Sequence, residues 1–261
     1  MYQPKLTVKT AAELKAILGR DFPSQVAKII DHIDPHCRTW IERCPFVVIS
    51  STNAAGAMDV SPKGDPPGFV KVLDKQTLAV PDRMGNHRGD TILNVLENPS
   101  VGLLFIVPKR REVVRLSGTA QIVRDPELLE GMAVNGKLPE LALLVRVQEA
   151  FFHCGKSMIR SGMWEPDRWA LINGLPTYAQ ALKDHANLPG PLSDIERGVA
   201  LNETDRLYWR TRAIEAPSWD CPWVRPDSGV RRYGRCSKSS YPSRSGSPNE
   251  GSCEPSDVLR Q

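Results

Sequence analysis

The feature that most constrains the fold of this chain is the stretch of residues 53–121, in which short strand-like runs alternate with tight turns. Residues 57–60 and 68–73 are joined by Ser-Pro-Lys-Gly-Asp-Pro-Pro-Gly, and these prolines and glycines prevent a helix from continuing. Residues 77–80 form a third short run, which ends at Pro81. The spacing therefore predicts strands joined by turns.

One amphipathic helix is predicted within this stretch. A polar, glycine-containing loop at residues 82–91 leads into an apolar stripe at residues 92–96. Asn98 and Pro99 then stop the helix, because the residue before a proline disfavours the helical conformation.

Three longer strands are predicted after this helix. Residues 101–107 are continuously apolar, which suits a buried strand and is too short for a membrane span. Residues 112–123 alternate loosely, and Gly118 marks a predicted bulge. Residues 141–152 alternate in their middle. The pattern indicates a mainly β domain with flanking helices, of the α+β class.

The segments on either side are predicted to be mostly helical. Thr10 begins a capping box, Ser24 opens a second helix, and Asp34 caps a third before a strand at residues 46–50.

After residue 123, three further helices are predicted. The first follows Asp125, the second covers residues 153–164, and a weaker pattern covers residues 191–209. Residues 213–261 contain ten Ser, six Pro and four Gly but only five Ile, Leu, Val or Phe. Such a segment buries too little apolar surface to offset its ordering entropy, so it is predicted to be disordered.

The composition places limits on the functional class. Hydrophobic residues make up 41% and charged residues 25%, and the net charge of +4 is too mild to indicate a nucleic-acid partner. There is neither an apolar secretory signal nor an apolar run of about 20 residues, so we expect a cytoplasmic protein without a membrane span. None of the six cysteines forms a C-x-x-C pair, which suits reduced thiols.

Several common catalytic patterns are absent from the sequence. There is no dinucleotide-binding glycine fingerprint, P-loop, G-x-S-x-G elbow or H-E-x-x-H pair. His153 and Cys154 are adjacent, so their side chains would diverge on a helix and make a poor nucleophile pair. His32, His36 and Cys37 lie close together, but we interpret them as surface and capping side chains and expect no metal site.

The loop before the central helix has the residues of an anion site. It places Arg83, His87 and Arg88 directly before a helix N-terminus. The amides that open the helix and the Thr91 hydroxyl would donate to a phosphate group, whereas Asp90 would oppose it unless it caps the helix. The alternative is an ordinary basic entry to a helix.

Five segments together resemble the FMN-binding split barrel of the pyridoxamine 5'-phosphate oxidase-like family. They are the strand 59–64 (Asp-Val-Ser-Pro-Lys-Gly), the loop 83–88, the helix end 97–99, the strand 102–105, and residues 152–161 (Phe-His-Cys-Gly-Lys-Ser-Met-Ile-Arg-Ser), which resemble one bacterial branch. The resemblance implies a six-stranded antiparallel split barrel that forms a homodimer, with FMN in the cleft between two barrels.

The resemblance also implies a domain organisation. It covers about residues 20–185. Helices in residues 1–45 would pack on the barrel, which would occupy residues 46–185, followed by a C-terminal helix at 186–212 and the disordered tail at 213–261.

The family's cofactor-binding positions can be carried over one by one. Lys63 matches the cation that ends the strand beside the flavin, and the family's Ser-Arg-Lys phosphate cluster reads Asn86-His87-Arg88, which keeps only the last cation. Lys156 and Arg160 share a helix face and would reach in from the partner chain; as a solvated basic face they would have no such role. The implied cofactor-binding residues are Ser61, Lys63, Val80, Pro81, Arg83, Asn86, Arg88, Thr91, Ser117, Lys156 and Arg160.

The resemblance implies an FMN-dependent oxidoreductase that acts on an unidentified small molecule, with hydride transfer at flavin N5. The flavin carries this chemistry, so no side chain is assigned as an acid or base. The family's C-terminal segment that binds pyridoxamine phosphate is not recognisable, so the chain is not expected to be a true pyridoxine-phosphate oxidase. The alternatives are a flavin-binding storage or sensor protein without turnover, and a barrel that binds the deazaflavin F420 or haem.

Overall fold

A computed structural model describes residues 2–83, 85, 88–204 and 207–208 of the chain. Its helices are α1 (Ala11–Leu18), α2 (Pro23–Ala27), α3 (Pro35–Glu42), α4 (Asp90–Glu97), α5 (Pro126–Glu130), α6 (Lys156–Ser161), α7 (Tyr178–His185) and α8 (Leu192–Glu203). Its strands are β1 (Phe46–Thr52), β2 (Met58–Gly64), β3 (Lys71–Val72), β4 (Thr77–Asp82), β5 (Ser100–Ile106), β6 (Val113–Val123) and β7 (Leu141–His153). The predicted disorder of residues 213–261 concerns residues outside this description.

The strands form one antiparallel sheet in the order β2-β1-β5-β6-β7-β4-β3. The predicted fold class, mainly β with flanking helices, is confirmed. The described residues form seven strands rather than the predicted six. The additional strand is the two-residue β3, which pairs Lys71 with Ala79 and Val72 with Leu78.

Two strands are longer than the residue pattern alone predicts, at the places where they contain proline. β2 continues through Pro62 to Gly64, and β4 continues through Pro81 to Asp82. Pro62 has a neighbouring strand on one side only, because β2 is an edge strand. Pro81 is in the same situation, because β3 pairs with Leu78 and Ala79 but does not extend as far as Pro81. A proline is tolerated where no ladder hydrogen bond is required from its nitrogen.

The bulge predicted at Gly118 is confirmed. The register between β6 and β7 shifts between Ser117 and Gly118. A Cβ atom at position 118 would lie 2.0 Å from the backbone oxygen of Arg146, so only glycine permits this close approach of the two strands.

The main core lies on one face of the sheet, and a second, smaller cluster joins β4 and β7 to the α5 region through Ala79, Leu129, Met132 and Ala142. β1 and β5 alternate between buried and half-buried residues, as expected for strands with a single covered face. The fully buried side chains include Val47, Ile49, Leu103, Phe105, Leu116 and Val145. α3 packs on β3, β6 and β7, and α4 packs on β1, β2 and β6.

The N-terminal helices differ in how they meet the sheet. α3 buries Cys37 and Ile41, and the Asp34 carboxylate caps it by accepting a hydrogen bond of 2.7 Å from the Cys37 amide. The helix predicted from Ser24 ends at Ala27, because the backbone of Ile30 instead pairs with Ala150. α1 and α2 bury no residue.

His32, His36 and Cys37 were interpreted as surface and capping side chains, and this interpretation was wrong for Cys37, which is buried. His32 pairs with Asp31 at 2.9 Å, His36 is exposed, and the Cys37 thiol lies in the core, where burial raises its pKa to about 12. The described residues contain no group of three or more His, Cys, Asp or Glu that could hold a metal ion. None of the described helices has the length and apolar character of a membrane span.

Candidate functional site

A cavity of about 480 Å³ opens where β2, at one edge of the sheet, approaches β4, near the other edge. Its walls are residues 59–63 of β2, the end of β4, the start of α4, residues 137–141 and Tyr208. Its volume lies within the range of about 300–1,000 Å³ that is typical of small-molecule and cofactor sites.

Ion pairs between side chains join β2 to β4 beside this cavity. In the described residues β2 pairs only with β1, and β4 pairs only with β7 and β3, so no backbone ladder links β2 to β4. Lys63 Nζ instead lies 3.0 Å from Asp82 Oδ1, and Arg83 Nε lies 2.5 Å from Asp65 Oδ2. We call this junction, formed by residues 63–65 and 82–83, the seam.

The pair between Asp65 and Arg83 is the buried half of the seam. The Asp65 side chain is 0% exposed and that of Arg83 is 15% exposed. Arg83 also donates to the Met132 carbonyl at 2.6 Å and to the Lys137 carbonyl at 3.5 Å. Its guanidinium is therefore held by the protein itself rather than directed freely at a ligand.

Tyr208 completes this buried cluster. Its hydroxyl donates to Asp65 Oδ1 at 2.6 Å, and the Arg83 guanidinium lies 5.8 Å from the centre of its ring. The hydrogen bond to Asp65, with a contribution from burial, raises the pKa of the Tyr208 hydroxyl above its usual range. The neutral, donating form of this tyrosine is thus stabilised at the cavity wall.

The pair between Lys63 and Asp82 faces the cavity. The two side chains are 23% and 29% exposed, and both line the cavity. In the part of the chain that the structure describes, the one hydrogen bond of Lys63 Nζ is to Asp82. This pair is therefore more accessible to a ligand than the Asp65–Arg83 pair.

The start of α4 forms the opposite wall. Gly89 precedes the helix with φ of 66°, in the left-handed region, and provides no side-chain cap. The first N–H groups of a helix have no partner within the helix, and here Asp90, Thr91 and Ile92 line the cavity. Asp90 pairs with Arg88 at 2.7 Å. This wall therefore offers helix N–H donors, and beside them a carboxylate that does not cap the helix and already occupies Arg88.

Buried polar contacts fix the position of α4 against the sheet. The Thr91 hydroxyl, in a residue that is 4% exposed, donates to Asp59 Oδ2 on β2 at 2.8 Å. One turn later, the Asn94 amide donates to the Ser51 hydroxyl on β1 at 3.0 Å. The start of α4 and the start of β2 are thereby held on the two sides of one cavity.

The cavity contains five of the residues predicted to bind the cofactor, which are Ser61, Lys63, Arg83, Arg88 and Thr91. Val80 and Pro81 are buried inside the sheet and do not line the cavity. Asn86 lies outside the described residues.

Three predicted residues lie elsewhere in the described chain. Ser117 is on β6, where its hydroxyl lies 3.4 Å from Glu149 Oε2. Lys156 and Arg160 are exposed on α6 and do not line the cavity. Their predicted role requires a second protomer.

Several residues that line the cavity were not predicted from the sequence. They are Asp59, Asp82, Lys137, Leu138, Glu140 and Tyr208. Asp59 could have been predicted, because it lies four positions before Lys63 in the same Asp-Val-Ser-Pro-Lys string. Residues four positions apart on a strand have their side chains on the same face. Tyr208 had no such signal, because it lies 143 residues from its partner Asp65.

The charges of the described cavity residues are balanced. Four cations (Lys63, Arg83, Arg88 and Lys137) and four carboxylates (Asp59, Asp82, Asp90 and Glu140) line it. Apolar side chains, including Val60, Ile92, Leu93, Leu138 and Leu141, lie among them. Such a lining suits a ligand that combines an apolar planar part with a polar or anionic part. These residues fit FMN in size and in donor chemistry.

A family model and solved structures show similarities to this chain. Residues 33–154 match the family model described as "Pyridoxamine 5'-phosphate oxidase". The matched region contains β2, β4 and α4, which form most of the cavity. No curated protein matches the chain.

Solved structures are similar to slightly less than half of the chain. HupZ of group A Streptococcus is 18% identical, covering 46% of this chain and 93% of its own, with a TM-score of 0.39. An FMN-binding protein from Syntrophomonas wolfei is 10% identical over 44% of this chain and 86% of its own, with a TM-score of 0.34. HutZ, a heme storage protein from Vibrio cholerae, is 14% identical over 47% of this chain and 94% of its own, with a TM-score of 0.33.

Proposed function

We propose that the protein binds FMN in the cavity beside the seam, because residues 33–154 match the family model described as "Pyridoxamine 5'-phosphate oxidase". We propose further that it is an FMN-dependent oxidoreductase acting on a small molecule that is still to be identified. The observation that carries the proposal is the presence of Lys63, Arg88 and the open start of α4 around one cavity.

The phosphate of FMN would bind at the start of α4. The unpaired N–H groups of the first helical turn and the partial positive charge of a helix N-terminus both favour an anion there. Lys63 on the facing strand and Arg88 just before the helix would add charge-assisted hydrogen bonds. The Asp59–Thr91 hydrogen bond keeps the two walls in position.

When bound, the flavin would supply hydride transfer at N5. The chain's own residues would bind and orient the flavin and limit access of water. Leu138, Pro139 and Leu141 provide apolar surface along one wall. Tyr208 and Arg83 line the cavity and are joined through their common partner Asp65.

The absorption spectrum of the purified protein tests the choice of cofactor. Oxidised FMN gives two visible bands, F420 gives a single near-violet band, and haem gives a Soret band. Steady reoxidation after reduction by NAD(P)H supports the oxidoreductase. A bound flavin that no donor reduces indicates storage or sensing instead.

We propose that the protein is a homodimer, because the family places FMN in a cleft between two barrels. Apolar side chains are exposed on the two elements that form the cavity walls, β2 and α4, with Met58 at 68%, Val60 at 64% and Leu96 at 71%. Such residues would become buried if a second barrel covered the cleft. Sedimentation should show a dimer, and a monomer that still binds FMN tightly would contradict this proposal.

Removing either of the two cationic side chains proposed to bind the phosphate should weaken the binding of FMN more than that of riboflavin. Each charge-assisted hydrogen bond is worth about 1.5–3 kcal/mol, so Lys63→Ala and Arg88→Ala should each weaken FMN by about ten- to a hundredfold. The affinity for riboflavin, which lacks the phosphate, should fall much less. Fluorescence titration of both ligands against each folded variant measures the difference.

The matched control is Lys15→Ala, which removes a cation from α1, a helix with no buried residue. It should leave the binding of both ligands unchanged. Equal losses of FMN and riboflavin in the Lys63 and Arg88 variants would mean that the phosphate binds elsewhere.

A further inference from the structure

We infer that Asp82 sets the preference of the cavity between phosphorylated and neutral ligands, because its carboxylate competes with a ligand phosphate for Lys63. This inference rests on the proposed function and assigns a specificity role within the same cavity. It follows from the unequal construction of the two ion pairs at the seam.

The two pairs join the same strands but differ in how firmly the protein holds them. Asp65 is fully buried and accepts from both Arg83 and the Tyr208 hydroxyl, while Arg83 donates further to two backbone carbonyls. Breaking this pair would leave a buried charge without a partner, which is strongly unfavourable. The Asp65–Arg83 pair can therefore hold the seam closed whatever the cavity contains.

The Lys63–Asp82 pair has no such support among the described residues. A single contact of 3.0 Å joins the two groups, and each side chain is more than a fifth exposed. An ammonium group carries three donors on a flexible stem and can exchange one acceptor for another. Lys63 can thus transfer to a phosphate without disturbing the buried half of the seam.

Asp82 would oppose an anionic ligand in two ways. It occupies Lys63, so a phosphate must displace it to gain the same contact. Its own charge would then remain beside the bound anion on the cavity wall. A neutral ligand meets neither cost. The Asp82 carboxylate therefore reduces the gain in binding affinity that a phosphate group would otherwise give a ligand.

The test compares FMN with riboflavin on the wild-type chain and on Asp82→Asn, which keeps the size of the side chain and removes its charge. A partly exposed pair of this kind contributes modestly, so FMN affinity should rise by about three- to tenfold while riboflavin affinity stays within about twofold. Added salt should reduce the gain for FMN. The titrations use the full chain at one pH.

A double-mutant cycle identifies the route of the effect. In a Lys63→Met background, the competition for the cation is absent and only the direct repulsion between Asp82 and the phosphate remains, so Asp82→Asn should raise the ratio of FMN to riboflavin affinity by a smaller factor. A gain of equal size without Lys63 would overturn the inference, and so would equal changes for both ligands. Thermal unfolding of each variant shows whether the fold and its stability are kept.

The outcomes separate this inference from the proposed function. If the wild-type chain binds FMN but Asp82→Asn leaves the ratio unchanged, the inference is wrong and the proposed function stands. If Asp82→Asn fails to fold, Asp82 is a structural brace, which also overturns the inference. If the wild-type chain binds neither FMN nor riboflavin, the proposed function fails and the inference falls with it.

Discussion

Replacing Arg83 with alanine is expected to destabilise the folded chain by about 3–5 kcal/mol. The substitution leaves the Asp65 carboxylate, which is 0% exposed, without its cationic partner, and it removes two hydrogen bonds to the carbonyls of Met132 and Lys137. A buried charge without compensation is among the costliest single defects in a folded protein. Urea denaturation of wild type and variant measures the loss.

Two controls distinguish the loss of this pair from a general effect at the seam. Lys63→Met breaks the more exposed ion pair and should cost about 1 kcal/mol or less. Adding Asp65→Asn to an Arg83→Met variant removes the uncompensated charge and should recover part of the stability. A loss below about 1 kcal/mol for Arg83→Ala would contradict the buried role assigned to the pair.

Gly118→Ala is expected to produce the second large effect, a loss of about 3 kcal/mol. The new Cβ would lie 2.0 Å from the Arg146 oxygen and 2.9 Å from its carbonyl carbon. Neither strand can withdraw easily, because β6 and β7 are paired on both sides of the bulge. For a chain of this size, about 3 kcal/mol corresponds to a fall in Tm of roughly 6–12 °C.

Gly198→Ala is the matched control for this substitution. Gly198 lies within α8, and a Cβ atom there would meet nothing within 4 Å. Alanine should stabilise this helix position by roughly 0.5–1 kcal/mol, so the two glycine variants should shift Tm in opposite directions. A Gly118→Ala protein as stable as wild type would show that the two strands can separate at the bulge.

The strand pattern could be predicted because local chemistry determines it. The bulge at Gly118 and the cap at Asp34 each follow from a few neighbouring residues. The ends of β2 and β4 could not be placed, because Pro62 and Pro81 break a strand only if both of its sides are paired. That condition depends on the order of strands in the sheet, which local sequence does not determine.

One missed element did carry a local signal. Thr177 caps α7 by accepting from the Gln180 amide at 3.1 Å, and Thr-x-x-Gln is a recognisable pattern for the start of a helix.

The candidate site could be predicted only where its residues lie close in sequence. Lys63 could be predicted from the Asp-Val-Ser-Pro-Lys string of its strand, and Arg88 and Thr91 could be predicted from the basic loop before a helix. The partners of Lys63 and Arg83 lie 19 and 18 residues away, and they meet only because the sheet curves until its two ends approach. Arg83 was therefore predicted as a phosphate ligand, whereas the structure places it in a buried ion pair with Asp65.

The absence of a backbone ladder between β2 and β4 in the described chain affects how a ligand could reach the cavity. Separating two strands within a sheet means breaking a row of cooperative backbone hydrogen bonds. At the cavity-facing half of the seam, only the Lys63–Asp82 contact has to change partners, whereas the buried Asp65–Arg83 pair holds the strands together. The wall can therefore loosen around Lys63 and Asp82 beside the cavity while the buried pair and the hydrogen-bonded sheet stay intact.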